Sequence, residues 1–112
     1  MAEDLYPSII RDLPLANIPF KGVKGHLFQG TSRQLVFFDI EPIGEIPEHS
    51  HGAQWGVILE GEVELTISGI TNTYRKGDSY YIPAGAPHSV AVKTHCKALD
   101  LFAEVDRYQP VG

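Results

Sequence analysis

The chain has 112 residues, a formal net charge of −5 and one cysteine. That length fits a single domain able to bury a core without a disulfide or a structural metal, and Cys96 on its own excludes an intramolecular disulfide. The nine Lys and Arg are scattered instead of forming a basic stripe, so nucleic acid is not an expected partner; no apolar run is long enough to suggest a membrane span.

In chain order, residues 1–32 read as an N-terminal arm. Pro7, Pro14 and Pro19 interrupt any regular element there. Leu13, Leu15, Ile18 and Phe20 are apolar enough to pack the arm across a sheet or onto a partner subunit. The opening MAEDLYPSIIRDLPL has no basic segment followed by an apolar one, so no signal peptide is expected. With a single thiol, this points to the cytoplasm. Lys21-Gly22-Val23-Lys24-Gly25 lacks the spacing of a phosphate loop. His26 and His95 have no motif around them and are expected on the surface.

Residues 33–112 carry the strands. Runs rich in Val, Ile, Phe, Tyr and Thr predict strands at Gln34–Ile40, Gly56–Leu59, Glu62–Ser68, Thr71–Arg75, Ser79–Ile82, His88–Val92 and Ala98–Glu104. Glu62-Val63-Glu64-Leu65-Thr66-Ile67 alternates polar with apolar, the pattern of a half-buried strand. Gly61 suits a tight turn, and Ser68-Gly69 or Gly69-Ile70 the next hairpin turn. Lys76-Gly77-Asp78 reads as another turn. Pro83-Ala84-Gly85-Ala86-Pro87 reads as a stiff loop in which the glycine can take positive φ. Many short strands without a long amphipathic helix predict an all-β sandwich or jelly-roll barrel.

The chemistry-bearing residues lie in the middle of the chain. His49 and His51 alternate with Ser50, so an extended segment turns both imidazoles to one side. Gln54 follows after a turn at Gly52, and His88 opens a strand after the stiff loop. Together they offer three nitrogens and an amide oxygen, a set that suits Zn, Fe, Mn, Ni or Cu and leaves one or two positions open. Gln54 is read as a ligand or, instead, as a hydrogen-bond donor behind the ligands. Trp55 either closes the pocket or packs in the core. Tyr80 and Tyr81 point to opposite faces, so one of them can reach the cavity. In the last strand Asp100, Phe102 and Glu104 share a face. If that face looks inward, Asp100 is a buried carboxylate placed for acid–base work; if outward, it is merely solvated. Cys96 has no basic neighbour that would mark a nucleophile.

At these residues the chain resembles the small single-domain cupins of the conserved-barrel, cupin 2 type. Gly44, four residues, His49-Ser50-His51, two residues, Gln54, six residues and Gly61 follow the family's first motif, with glutamine for its glutamate and one residue fewer after the second histidine. Gly77, five residues, Pro83-Ala84-Gly85, two residues and His88 follow the second, with Val92 at its later asparagine. The resemblance implies a double-stranded β-helix over 33–112 with a divalent transition metal inside, held by His49, His51, Gln54 and His88. The chain is also similar to cupins that linearise unsaturated uronates from pectin and alginate breakdown, through this ligand set and through Asp100-Leu101-Phe102 followed by Arg107. That similarity implies catalytic roles for Asp100 and Arg107, with Arg107 gripping a substrate carboxylate; Trp55, Phe102 and Tyr80 are the residues expected against the substrate.

Three functions follow as expectations. The first is a metal-dependent lyase or isomerase acting on a small anionic sugar acid or hydroxy-carbonyl compound. The second is a metal-dependent dioxygenase. The third is a non-catalytic small-molecule binding or sensor module. The fold hosts all three. The arm and an apolar outer sheet face favour a homodimer, since two-fold dimers are the commonest assemblies.

Overall fold

In the computed structural model, which describes residues 4–111, nine strands and one short helix follow the order α1 (Ser8–Arg11), β1 (Val23–Gln29), β2 (Gln34–Ile40), β3 (Gly44–His49), β4 (Gln54–Glu60), β5 (Glu62–Ile67), β6 (Ile70–Arg75), β7 (Ser79–Ile82), β8 (His88–Val92) and β9 (Cys96–Phe102). They form two antiparallel sheets, one ordered β1-β2-β9-β4-β7 and the other β3-β8-β5-β6. This is the expected all-β jelly-roll, a double-stranded β-helix. From β2 to β5 and again from β6 to β9 consecutive strands alternate between the sheets, so β4 and β9 lie side by side although about 35 residues separate them.

The strands with clear alternation are those legible in sequence. β2, β7 and β8 have the expected bounds. β2 buries every second residue, with Gln34, Val36, Phe38 and Ile40 turned to the core. Between β5 and β6, Ser68 (φ 49°) and Gly69 (φ 83°) both adopt left-handed geometry. This is the type I′ turn that matches the twist of a hairpin, and it pairs Ile67 with Ile70.

Two strands lack a period-two signal. In β1, Gly25, His26 and Leu27 are consecutive buried residues, because one face of β1 meets the core and the other meets the arm. Leu15 bridges to His26, and the Tyr6 ring stands edge-on to His26. His26 is therefore 7% exposed, not the surface residue expected, whereas His95 is exposed and bonded to Asp39. β1 lies within the stretch read as an arm, and the 32/33 boundary falls in the turn that joins it to β2. β3 contains Pro47, which removes a ladder donor and is tolerated on a sheet edge. A register shift between Ile46 and His49 interrupts its pairing with β8.

The rest of the arm packs on its own barrel. Ala16 N–H donates to the Gly25 carbonyl (2.9 Å) and Asn17 N–H to that of Gln109 (2.7 Å), tying the arm to β1 and to the C-terminal tail. The Tyr6 hydroxyl donates to the Phe38 carbonyl (2.7 Å). Between the sheets lie Val36, Phe38, Ile58, Val63, Val92, Cys96, Ala98 and Phe102, with Phe38, Phe102 and Tyr108 in edge-to-face contact. Among the described residues no helix is long and apolar enough to cross a membrane.

Candidate metal centre

Three histidines converge at one end of the barrel. His49 closes β3 and His88 opens β8, and the two are register partners, with ring centroids 4.2 Å apart. His51 lies beyond the end of β3, so the shared strand face expected for the pair is not what aligns them. The loop does so instead. Gly85 N–H donates to the His51 carbonyl (2.8 Å), Ala103 N–H to the Ala53 carbonyl (2.9 Å), and Gly52 N–H to Glu104 Oε1 (2.8 Å). The ring of His51 is thereby brought 4.8 Å from that of His88 and 5.5 Å from that of His49. One nitrogen from each ring falls within 4.8 Å of the others.

Each Nδ1 faces a backbone carbonyl: His49 that of Pro47 (2.9 Å), His51 that of Gly52 (2.8 Å) and His88 that of Ala86 (3.0 Å). A carbonyl can only accept, so each Nδ1 carries the proton and each Nε2 keeps its lone pair. Desolvation pulls His51 down to about 4, with the charge of Arg107 and the other two imidazoles pushing the same way. His88 is lowered too, again chiefly by burial. Three rings in one tautomer with convergent lone pairs, two of them (His51 and His88) resisting protonation, suit a divalent transition metal. The donor set fits.

Deeper in the barrel, Gln54 Nε2 donates to Asp100 Oδ1 (2.9 Å) and the Tyr80 hydroxyl donates to the same oxygen (2.7 Å). Asp100 faces inward and is 2% exposed, so of the two orientations open to the last strand this is the one adopted. Burial raises its carboxyl to about 6, held back by the bonds from Tyr80 and Gln54. Because the carboxylate oxygen takes the amide NH2, the carbonyl oxygen of Gln54 is left on the opposite side of the amide. Gly56 makes the cluster possible: a Cβ there would stand 2.1 Å from Asp100 Oδ1 and 2.4 Å from Tyr80 Cζ.

A cavity of about 450 Å³ joins His49, His51, His88, Gln54, Asp100, Tyr80, Phe102 and Arg107. Arg107 stacks on Tyr108 at 4.6 Å, and its buried Nε has no partner among the described residues. Trp55 is not in the cavity wall. It alternates with Gln54 on β4 and points outward, 43% exposed, so neither the pocket position nor the core position expected for it is realised. Tyr81 is likewise outward and Tyr80 inward. Cys96 is buried, its thiol pushed up to about 12 by desolvation, which removes nucleophilic character.

Sequence reasoning put Glu104 on the Asp100 face but assigned it no role. It holds the His51 loop through Gly52 and stands 3.6 Å from His51 Nδ1. A Cβ on Gly52 would lie 2.7 Å from its Cγ. The signal in the sequence was the glycine directly after a candidate ligand, His51, which permits such a close approach.

The cupin domain family matches residues 36–102, more than half of the chain. No curated protein matches by sequence. Among solved structures, KdgF from Halomonas sp. superposes with a TM-score of 0.71 at 17% identity over 80% of this chain and 84% of that one. A RmlC-like cupin from Shewanella frigidimarina NCIMB 400 gives 0.75 at 19% identity, over 86% and 88%. Oxalate decarboxylase from Bacillus subtilis gives 0.71 at 23% identity; the match covers 86% of this chain but 28% of that longer one.

Proposed function

The chain belongs to the cupin domain family, and on that premise we propose that it is a metal-dependent lyase or isomerase acting on a small anionic sugar acid or hydroxy-carbonyl compound. The three histidines could hold a metal ion, and Gln54 is the proposed fourth ligand. Zn, Ni, Mn and Fe all suit this donor set. A divalent ion in such a shell keeps its full charge, since glutamine contributes none, and so acts as a strong Lewis acid toward an anionic oxygen.

The residues of the chain supply the rest. Arg107, with an unpartnered buried Nε at the cavity wall, binds a substrate carboxylate through its guanidinium. Phe102 and Tyr80 confine the substrate. Asp100, raised to about 6, takes a proton from carbon or hydroxyl and returns it, because a carboxyl poised near neutrality serves both steps. The observation that carries this reading is the buried Asp100, bonded to Gln54 and Tyr80, in the same cavity as the histidine cluster. The reading extends to a homodimer in the cytoplasm.

Metal analysis of protein purified without added metal, run beside an ultraviolet assay on unsaturated uronates, is the first test. Loss of the conjugated chromophore that depends on metal and disappears in Asp100→Asn is expected. A fully metallated protein inert towards uronates would sink the sugar-acid substrate. Oxygen consumption would point to a dioxygenase, and tight anion binding without turnover to a sensor. Gln54→Glu, which cancels one charge at the metal, should weaken anion binding measured by calorimetry; equal or tighter binding would count against the role given to the neutral amide.

A further inference from the structure

The cavity that holds the three histidines continues past them, and its two ends differ in chemistry. Three strands each place a polar side chain at the histidine end and apolar ones beyond it. On β4 Gln54 gives way to Ile58, on β8 His88 gives way to Val90, and on β9 Asp100 gives way to Ala98 and Cys96. Ile40 and Val63 complete the far wall. At about 3.3 Å per residue, the run from Asp100 back to Cys96 spans roughly 13 Å.

These far side chains carry no charge, hydroxyl or amide. Cys96, its thiol held protonated by burial, behaves as a small apolar group. Tyr80 stands in the wall, but its hydroxyl is committed to Asp100. The backbone there is paired strand to strand: Ile40 with Cys96, Ile58 with Ala98 and Val63 with Val92 are register partners. Water needs several polar partners to settle in a cavity, and a ligand hydroxyl moved there gives up its bonds to water without replacement. A hydrocarbon group gives up none and supplies the contacts that the wall atoms otherwise lack. Ala98 is what leaves the room. It shares the inner face of β9 with the larger Asp100 and Phe102 and is 3% exposed. The volume of about 450 Å³ is that of a pocket able to enclose a small molecule.

We propose that the ligand of this site is amphipathic, with a hydroxy-carbonyl acid head between the histidine cluster and Arg107 and a hydroxyl-free hydrocarbon body lying along Ile58, Val90 and Ala98. The head rests on the reading given under the proposed function. The body narrows that reading, favouring alkyl-substituted hydroxy acids over sugar acids. The reason is the one-sided wall: polar groups are gathered at one end, whereas a sugar acid carries hydroxyls along its whole length.

Calorimetric titration of the protein saturated with Zn2+ tests this, using the R forms of lactate, 2-hydroxybutanoate and 2-hydroxyhexanoate, with gluconate as the polar control. Gluconate has the carbon chain and head of 2-hydroxyhexanoate and differs only in its further hydroxyls. Affinity should rise roughly 4-fold with each added methylene, as burial of hydrocarbon does, and gluconate should bind no better than lactate. Ala98→Leu, which fills the space beyond Asp100, should abolish the rise and leave lactate binding unchanged. Val90→Phe fills the same space from β8 and serves if circular dichroism shows Ala98→Leu to be unfolded. Gluconate binding as tightly as 2-hydroxyhexanoate, no gain with chain length, or a gain that survives in the folded variants overturns the hydrocarbon body and leaves the anion-binding head standing. Failure of all four acids to bind overturns both.

Discussion

Asp100 and His51 titrate against each other in the metal-free protein. Burial raises the Asp100 carboxyl to about 6 from an unfolded value near 3.8. The folded state therefore binds the extra proton between these values, and stability falls as pH rises through them. His51 is lowered to about 4; there the unfolded state binds the proton, and stability rises with pH over about 4–6.5. The two slopes oppose one another. Asp100→Asn keeps an acceptor for Tyr80 and Gln54 and removes the falling limb. In urea unfolding of the metal-free variant, stability should exceed wild type by up to about 3 kcal/mol at pH 8, with the gap closing below about pH 4. A gap of constant size across that range would show that Asp100 does not titrate there. The signs are legible only with burial known, since the sequence presents Asp100 on a strand with two equivalent faces.

At the scale of elements, the loop from β3 to β4 does what a straight strand cannot. A histidine pair two residues apart suggests a common strand face, yet β3 ends at His49 and His51 is placed by three hydrogen bonds from β9's extension and the Pro83–Pro87 loop. Glu104→Ala removes one of them and should lower metal affinity about 10- to 100-fold, the range for residues that orient ligands. Glu104→Gln retains an acceptor for Gly52 N–H and should recover most of the loss. Gly52→Ala, whose Cβ would displace Glu104, should mimic Glu104→Ala, and the double variant should be no worse than either. Competition against a chromophoric chelator reads all four. Metal binding at wild-type strength in Glu104→Ala and Gly52→Ala would remove Glu104 from any positioning role. Strands with clean alternation, such as β2 and β5, were readable; β1 was not, because the arm buries its second face, nor β3, because Pro47 and a register shift break its pattern.

For the molecule as a whole, the all-β class, most strand positions, a hairpin turn at Ser68-Gly69 or Gly69-Ile70, and His49, His51 and His88 as candidate ligands were legible in the sequence. These follow from local rules: side-chain alternation, backbone torsions open to glycine and proline, and the short list of side chains able to bind a metal. That Asp100 looks inward while Trp55 looks out, that His26 is covered, and that Glu104 reaches back to the His51 loop came from the packing of the sheets. Each depends on which sheet face meets the core or on residues about fifty positions apart, as with Gly52 and Glu104 or Gln54 and Asp100. A strand's sequence carries its period but not the identity of what packs against each side, and that packing sets burial, charge state and contact.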